Sequence, residues 1–293
     1  MIHTIQSEEL EVSIHQKGLE LSSIKHKKTD TEYLWQGDSN YWTGQAPVLF
    51  PIIGALKDGT TLIDGKPYQI PKHGIIRHST KAKVTDHLDD SITFQFHWDE
   101  ETLHQFPFRF IFSLTFSLKG NQLNVSHTIH NADKKPMPYQ LGAHPAFNCP
   151  INNQGEYSDY FLEFPVDETA HTWLIDDNGL LTDSTKPVFN SSKILQLHNH
   201  LFDNDALIIK DLKSKSVTLK SDELGEILRV DFDDFPYLGI WAKPGAPFVC
   251  IEPWHGITDH ENTNGDILSK EKLRILEPGK EETLSYRVTL FDQ

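Results

Sequence analysis

Cysteine is nearly absent: Cys149 and Cys250 are the only two in 293 residues, and no CxxC spacing occurs. That excludes a disulfide framework and leaves two reduced thiols, as expected of a cytoplasmic protein. Long apolar runs are missing as well. The longest, Ala46 to Leu56, is broken by Pro47, Pro51 and Gly54, and it falls far short of the ~20 residues a membrane-spanning helix needs. The first residues, Met1-Ile2-His3-Thr4-Ile5, carry neither a basic region nor an apolar stretch, so no signal peptide is expected. Positive charge is scarce: 27 Lys and Arg against 42 Asp and Glu leave a net charge of −15. Such a chain repels phosphate backbones and anionic bilayers, so neither nucleic acid nor a membrane is expected as a partner. HExxH, a Gly-rich phosphate loop, a dinucleotide fingerprint and a Ser-centred nucleophile elbow are all missing, which argues against a metal, nucleotide cofactors and acyl transfer. Sixteen histidines keep metal binding in competition, with His198 and His200 on one strand face, but the expectation is no metal and no cofactor.

What the chain has in abundance is period-two alternation. From Phe108 to Leu118 every even position is apolar, and Gly120-Asn121 then turns into a second alternating run through Leu123, Val125, His127 and Ile129. This is a long antiparallel hairpin with one face on a core. Asp64-Gly65 between Thr61-Leu62-Ile63 and Pro67-Tyr68-Gln69-Ile70 signals another hairpin. Asp89-Asp90 joins two more strands, and Leu284, Tyr286, Val288 and Leu290 alternate near the end. Only Asp99 to Gln105 suggests a helix, of a turn or two. With 17 Phe and 6 Trp to fill a core and no repeat, linker or low-complexity tract, the expectation is all-β: one domain over residues 1–293, a large antiparallel β-sandwich or barrel.

Four segments interrupt this pattern, each setting a reactive residue among apolar, Pro or Gly neighbours: Pro71–Arg77, Gly142–Phe147, Phe202–Leu207 and Phe248–Trp254. Glu252 ends an apolar run and precedes Pro253-Trp254. A partly desolvated carboxylate there is a better base near neutral pH; a strand-end ion pair is the plainer alternative. His144 also precedes a proline, which restricts its backbone to extended conformations. His73 lies beside Gly74, where close approach is possible, and Arg77 suits a carboxylate or phosphate. Asp205 and Asp203 can accept hydrogen bonds from sugar hydroxyls or simply form a turn. Trp254 is either a platform for sugar C–H faces or core packing.

Taken in order, Phe50-Pro51-Ile52-Ile53-Gly54, His73-Gly74, Gly142-Ala143-His144-Pro145-Ala146-Phe147 and Glu252-Pro253-Trp254-His255-Gly256 resemble the aldose 1-epimerase (galactose mutarotase-like) family, in its LacX-type branch. The resemblance spans nearly the whole chain. It implies a β-supersandwich with a sugar cleft, and a cofactor-free isomerase interconverting the α and β anomers of a hexose. By the same resemblance Glu252 is the general base on the anomeric hydroxyl and His144 the general acid on the ring oxygen. His73 and Asp205 then bind substrate. The pair is expected on opposite sides of the hemiacetal, far enough apart to straddle a hexose ring. Two features depart from the family. Ala55 stands where many LacX-type relatives carry Arg, and no Asn-Arg pair follows Gly54; Arg77 is the candidate replacement. The segment His73–Arg77 also resembles the His-Gly-x-x-Arg of glucose-6-phosphate 1-epimerases, which leaves a phosphorylated hexose open, with Arg77, Lys57 and Lys72 as its cations. A non-catalytic carbohydrate-binding protein on the same scaffold is the other alternative.

Overall fold

A computed structural model describes residues 1–293. The alternating runs form the expected hairpin: Phe110–Lys119 pairs antiparallel with Gln122–Asn131, setting Leu118 opposite Leu123 and Phe112 opposite Ile129. The apolar side chains of both strands are buried on one face. The other face carries hydroxyl ladders, with Thr93 bonded to Thr115, Ser126 to Ser285 and Thr128 to Thr283. Period two thus separates core from solvent along each strand. Thr60–Ile63 and Lys66–Gln69 pair across Asp64-Gly65, both of which adopt positive φ (51° and 74°). That is the backbone of a tight hairpin turn. The helix Glu100–Gln105 starts at Asp99, whose side chain accepts from the Thr102 backbone N–H while the Thr102 hydroxyl accepts from that of Asp99. No helix is long and apolar enough to cross a membrane.

The fold is all-β: a large antiparallel β-sandwich built on one 15-stranded sheet. At one end of that sheet five strands lie side by side in the order Val48–Leu49, Leu141–Ala143, Phe248–His255, Tyr237–Trp241 and Leu207–Ile209. The long strand Tyr160–Ile175 follows, paired with Leu181–Gln196 through several register shifts. This bulged hairpin lacks clean alternation, which is why the sequence pattern does not reveal it. A continuous core of 71 buried apolar residues fills the sandwich. Seven more, Leu49, Ile53, Leu181, Ile208, Tyr237, Trp254 and Ile257, form a separate group under the five-strand region.

Candidate active site

Strand register brings the two acid–base candidates together. Phe248–His255 pairs first with Leu141–Ala143, setting Gly142 opposite Trp254, and then with Ala146–Asn148, setting Ala146 opposite Cys250. The intervening His144-Pro145 keeps the same register, and the Ile251 N–H donates to the Pro145 carbonyl at 3.2 Å. His144 therefore stands directly across from Glu252 on the same face, as cross-strand neighbours do. Nε2 of His144 lies 3.4 Å from Oε2 of Glu252. Two groups this close cannot straddle a hexose ring. The expected arrangement is corrected: the two candidates stand side by side, because their strands are hydrogen-bonded neighbours.

Both line a cavity of about 240 Å³ that also takes in His73, Arg77, Asp205 and Trp254. All six candidates thus converge. Asp203 does not line it; its carboxylate pairs outside with Nδ1 of His200 at 3.0 Å, whereas Asp205 sits in a turn at φ 72° facing the cavity. Of the phosphate candidates, Lys72 lines the cavity, but Lys57 does not: its Nζ donates to the Glu261 carbonyl at 2.7 Å.

His73 is held by the chain around Phe50. Its N–H donates to the Gly54 carbonyl at 2.9 Å, and the Ile75 N–H donates to that of Phe50 at 2.8 Å. A Cβ on Gly74 would lie 2.0 Å from the Phe50 oxygen, at a φ of 86°, so no other residue fits the approach. The Gly54 N–H donates to Nδ1 of His73 at 3.3 Å. A neutral ring then carries its proton on Nε2, as a donor. The ring meets that of His144 edge-on, with centroids 5.9 Å apart.

Three tryptophans enclose the pair. Trp42 stacks on His144 with centroids 4.9 Å apart and planes 26° apart, and Trp241 meets the same ring edge-on at 5.8 Å. Trp254 lies over two glycines of the flanking strands: a Cβ on Gly239 would come within 2.5 Å of its ring, and one on Gly142 within 2.9 Å. With only 6% exposure, it packs far more than it offers as a platform. Trp42, Trp241 and Thr258 were not singled out in the sequence. Trp42 sits on an irregular segment with no distinguishing pattern, whereas Trp241 is a strand residue opposite Cys250. The Thr258 hydroxyl accepts from the Ala55 N–H at 3.0 Å and donates to the Gly179 carbonyl at 2.7 Å, tying two cavity walls together.

Burial shapes the charges. Glu252 is 1% exposed, and burial holds its carboxyl well above the usual range; the Trp254 indole works against that shift and the nearby Asp205 with it. Burial pushes His144 down to about 3, with Arg77 and Lys72 adding to the effect. His73 is held well below its ordinary value by burial and then by the neighbouring His144, Lys72 and Arg77. Desolvation thus favours the uncharged form of the pair, with its single proton on Glu252. The sequence reading has the same proton on His144; the two arrangements differ only by a transfer across 3.4 Å. Oε2 of Glu252, Nδ1 of His144 and Nε of Arg77 are all buried without a hydrogen-bond partner. Neither Arg77 nor Lys72 forms an ion pair.

Residues 1–273 match the family described as aldose 1-epimerase. A chromosomally encoded protein LacX of Lactococcus lactis subsp. lactis is 35% identical over 98% of this chain and 99% of its own. Among solved structures, a galactose mutarotase related enzyme from Lactobacillus acidophilus superimposes with a TM-score of 0.93 at 32% identity, covering 100% of this chain and 98% of the other. A galactose mutarotase-like protein from Lactobacillus casei ATCC 334 gives 0.93 at 31%, covering 99% and 100%. The sandwich is the galactose mutarotase-like fold.

Proposed function

The chain belongs to the aldose 1-epimerase family, and we propose that it is an isomerase interconverting the α and β anomers of a hexose by acid–base ring opening and closure, residues 1–293 acting as one domain. The observation that carries this reading is the His144–Glu252 pair, 3.4 Å apart in a desolvated cavity. Mutarotation needs one acceptor and one donor, and the two reacting oxygens sit on a single carbon. Side-by-side groups sharing one proton suit that edge of the sugar.

The steps follow from the protonation states. As the sugar enters, its hydroxyl hydrogen bond to Glu252 and its ring oxygen's acceptance from His144 offset the desolvation that kept both groups neutral. The charged pair then becomes available, Glu252 as carboxylate and His144 as imidazolium. Glu252 takes the proton of the anomeric hydroxyl. The bond from the anomeric carbon to the ring oxygen breaks, its electrons go to that oxygen, and His144 protonates it. The aldehyde end rotates, and closure on its opposite face returns both protons. His73 donates from Nε2 near the reacting oxygens, Asp205 accepts from hydroxyls, and Arg77 supplies the donors missing at Ala55. No electron or group carrier enters.

A phosphorylated hexose is the second reading. Arg77 and Lys72 face the cavity and pair with no carboxylate, an arrangement suited to an anionic substituent. The two readings separate in one assay, anomer equilibration followed by polarimetry for glucose, galactose and their 6-phosphates. General acid–base assistance of about 10²–10⁴-fold over the buffer rate is expected for at least one of the four. Binding of a sugar with no acceleration of any would leave a non-catalytic carbohydrate-binding protein instead.

A further inference from the structure

Next to the pair stands a third reactive group that the proposed reaction does not use. Along Phe248–His255 side chains alternate, so Cys250 shares the face of Glu252. One ring nitrogen of His144, Sγ of Cys250 and a carboxylate oxygen of Glu252 all lie within 4.8 Å of one another. Cys250 and Glu252 are buried and the His144 side chain is 12% exposed, yet Nδ1 of His144 and Oε2 of Glu252 have no hydrogen-bond partner. Nitrogen, oxygen and sulfur donors thus lie together, with His144 and Glu252 in the cavity lining and Cys250 outside it.

That mixed donor set suits zinc and similar borderline-soft cations, which take thiolate, imidazole and carboxylate together. Calcium and magnesium want oxygen ligands alone. Metal–ligand bonds of about 2.0–2.3 Å require the three groups to close by about an ångström. Three protein ligands leave a fourth position, reachable from the cavity only on the side of His144 and Glu252, the two that line it. Lys72 and Arg77 line that cavity and oppose a cation there, while Asp205 favours it. The anions bonded directly to the metal dominate, because Coulomb energy falls with distance.

We propose that Zn²⁺ binds across Cys250, His144 and Glu252 and switches the site off. Binding releases the thiol proton and the pair's shared proton to solvent and forms metal–sulfur, metal–nitrogen and metal–oxygen bonds. The lone pairs that would pass the sugar's proton are then occupied. The inhibition rests on the acid–base reading of Glu252 and His144; the binding does not.

The test uses Co²⁺ as a spectroscopic probe and Zn²⁺ as the inhibitor. Co²⁺ added to the whole chain produces a thiolate-to-metal charge-transfer band at one equivalent, which Zn²⁺ abolishes. The band survives Cys149→Ala and disappears in Cys250→Ala, with Cys250→Ser as the second variant should the alanine form fail to fold. In the anomer assay Zn²⁺ inhibits the wild type and a chelator restores the rate. Cys250→Ala retains basal exchange but needs at least ~10-fold more Zn²⁺ for half-inhibition. A wild type without the band, or Cys250 variants that bind Co²⁺ and respond to Zn²⁺ unchanged, would overturn the proposal. If no sugar is turned over, the acid–base reading fails while the band still decides the metal site.

Discussion

Glu252 and His144 each shift away from charge, and for the same reason: strand register and three indoles remove water from both. The pair is competent while it holds one proton. A second proton enters only when pH falls to where His144 protonates, about 3 rather than the ordinary ~6.5. The carboxyl proton leaves only when pH rises through the raised value of Glu252. We therefore expect kcat/KM, which reports the free enzyme, to be flat across neutral pH. The acid limb should lie well below 6.5 and the alkaline limb well above the ordinary carboxylate value of ~4.3. An inflection near 6.5 would show His144 titrating as an ordinary histidine. At Arg77, substitution by Ala separates the substrate readings: KM for a hexose 6-phosphate should rise about 10-fold or more, and by more than KM for the neutral sugar, if a charge-assisted contact worth about 1.5–3 kcal/mol is lost. Glu252 and His144 were legible because each interrupts an alternating pattern with a reactive group before Pro, and Arg77 because it closes the segment that carries His73-Gly74. Trp42 was not, since nothing in a lone aromatic on an irregular segment says which ring it covers.

Strands decide how those residues meet. Alternation along Phe248–His255 puts Glu252 on the face of Trp254, but only its neighbours supply His144 on one side and Gly239 on the other. Gly74→Ala should be the costlier of two glycine substitutions. At Gly65 an added Cβ meets nothing within 4 Å, so the cost is the strain of a positive φ alone, about 1–2 kcal/mol. At Gly74 the Phe50 oxygen at 2.0 Å adds a backbone clash. Urea unfolding should rank the midpoints wild type, Gly65→Ala, Gly74→Ala in falling order, and the last should also lose activity because His73 moves. Equal midpoints for the two variants would contradict the assigned packing. The hairpins around Asp64-Gly65 and Gly120-Asn121 were readable as local pairs with turn chemistry. The bulged hairpin Tyr160–Ile175 with Leu181–Gln196 was not, because register shifts erase the period.

Across the molecule, distant segments are tied behind the cleft by charge. Lys270 and Asp259 form an ion pair at 2.6 Å with both side chains almost fully buried, 2% and 3% exposed. The other Asp259 oxygen accepts from the Lys57 N–H at 3.0 Å. Lys270→Ala should cost about 3–5 kcal/mol by stranding a buried carboxylate, measurable by denaturant titration, and a loss under 1 kcal/mol would show the pair to be solvated. The sandwich as a class was visible in the alternation, and the family in the order of four segments. The sheet path was not: Val48–Leu49 lies beside Leu141–Ala143, and a period of two gives each strand its faces without naming its partners. The whole account turns on proton transfer by Glu252 and His144, and its consequence, the exchange rate between the anomers of the accepted sugar, is read directly by NMR magnetisation transfer. Glu252→Gln keeps the shape and removes the acceptor, so exchange should fall by about 10²–10⁴-fold toward the buffer rate; exchange at the wild-type rate in that variant would contradict it.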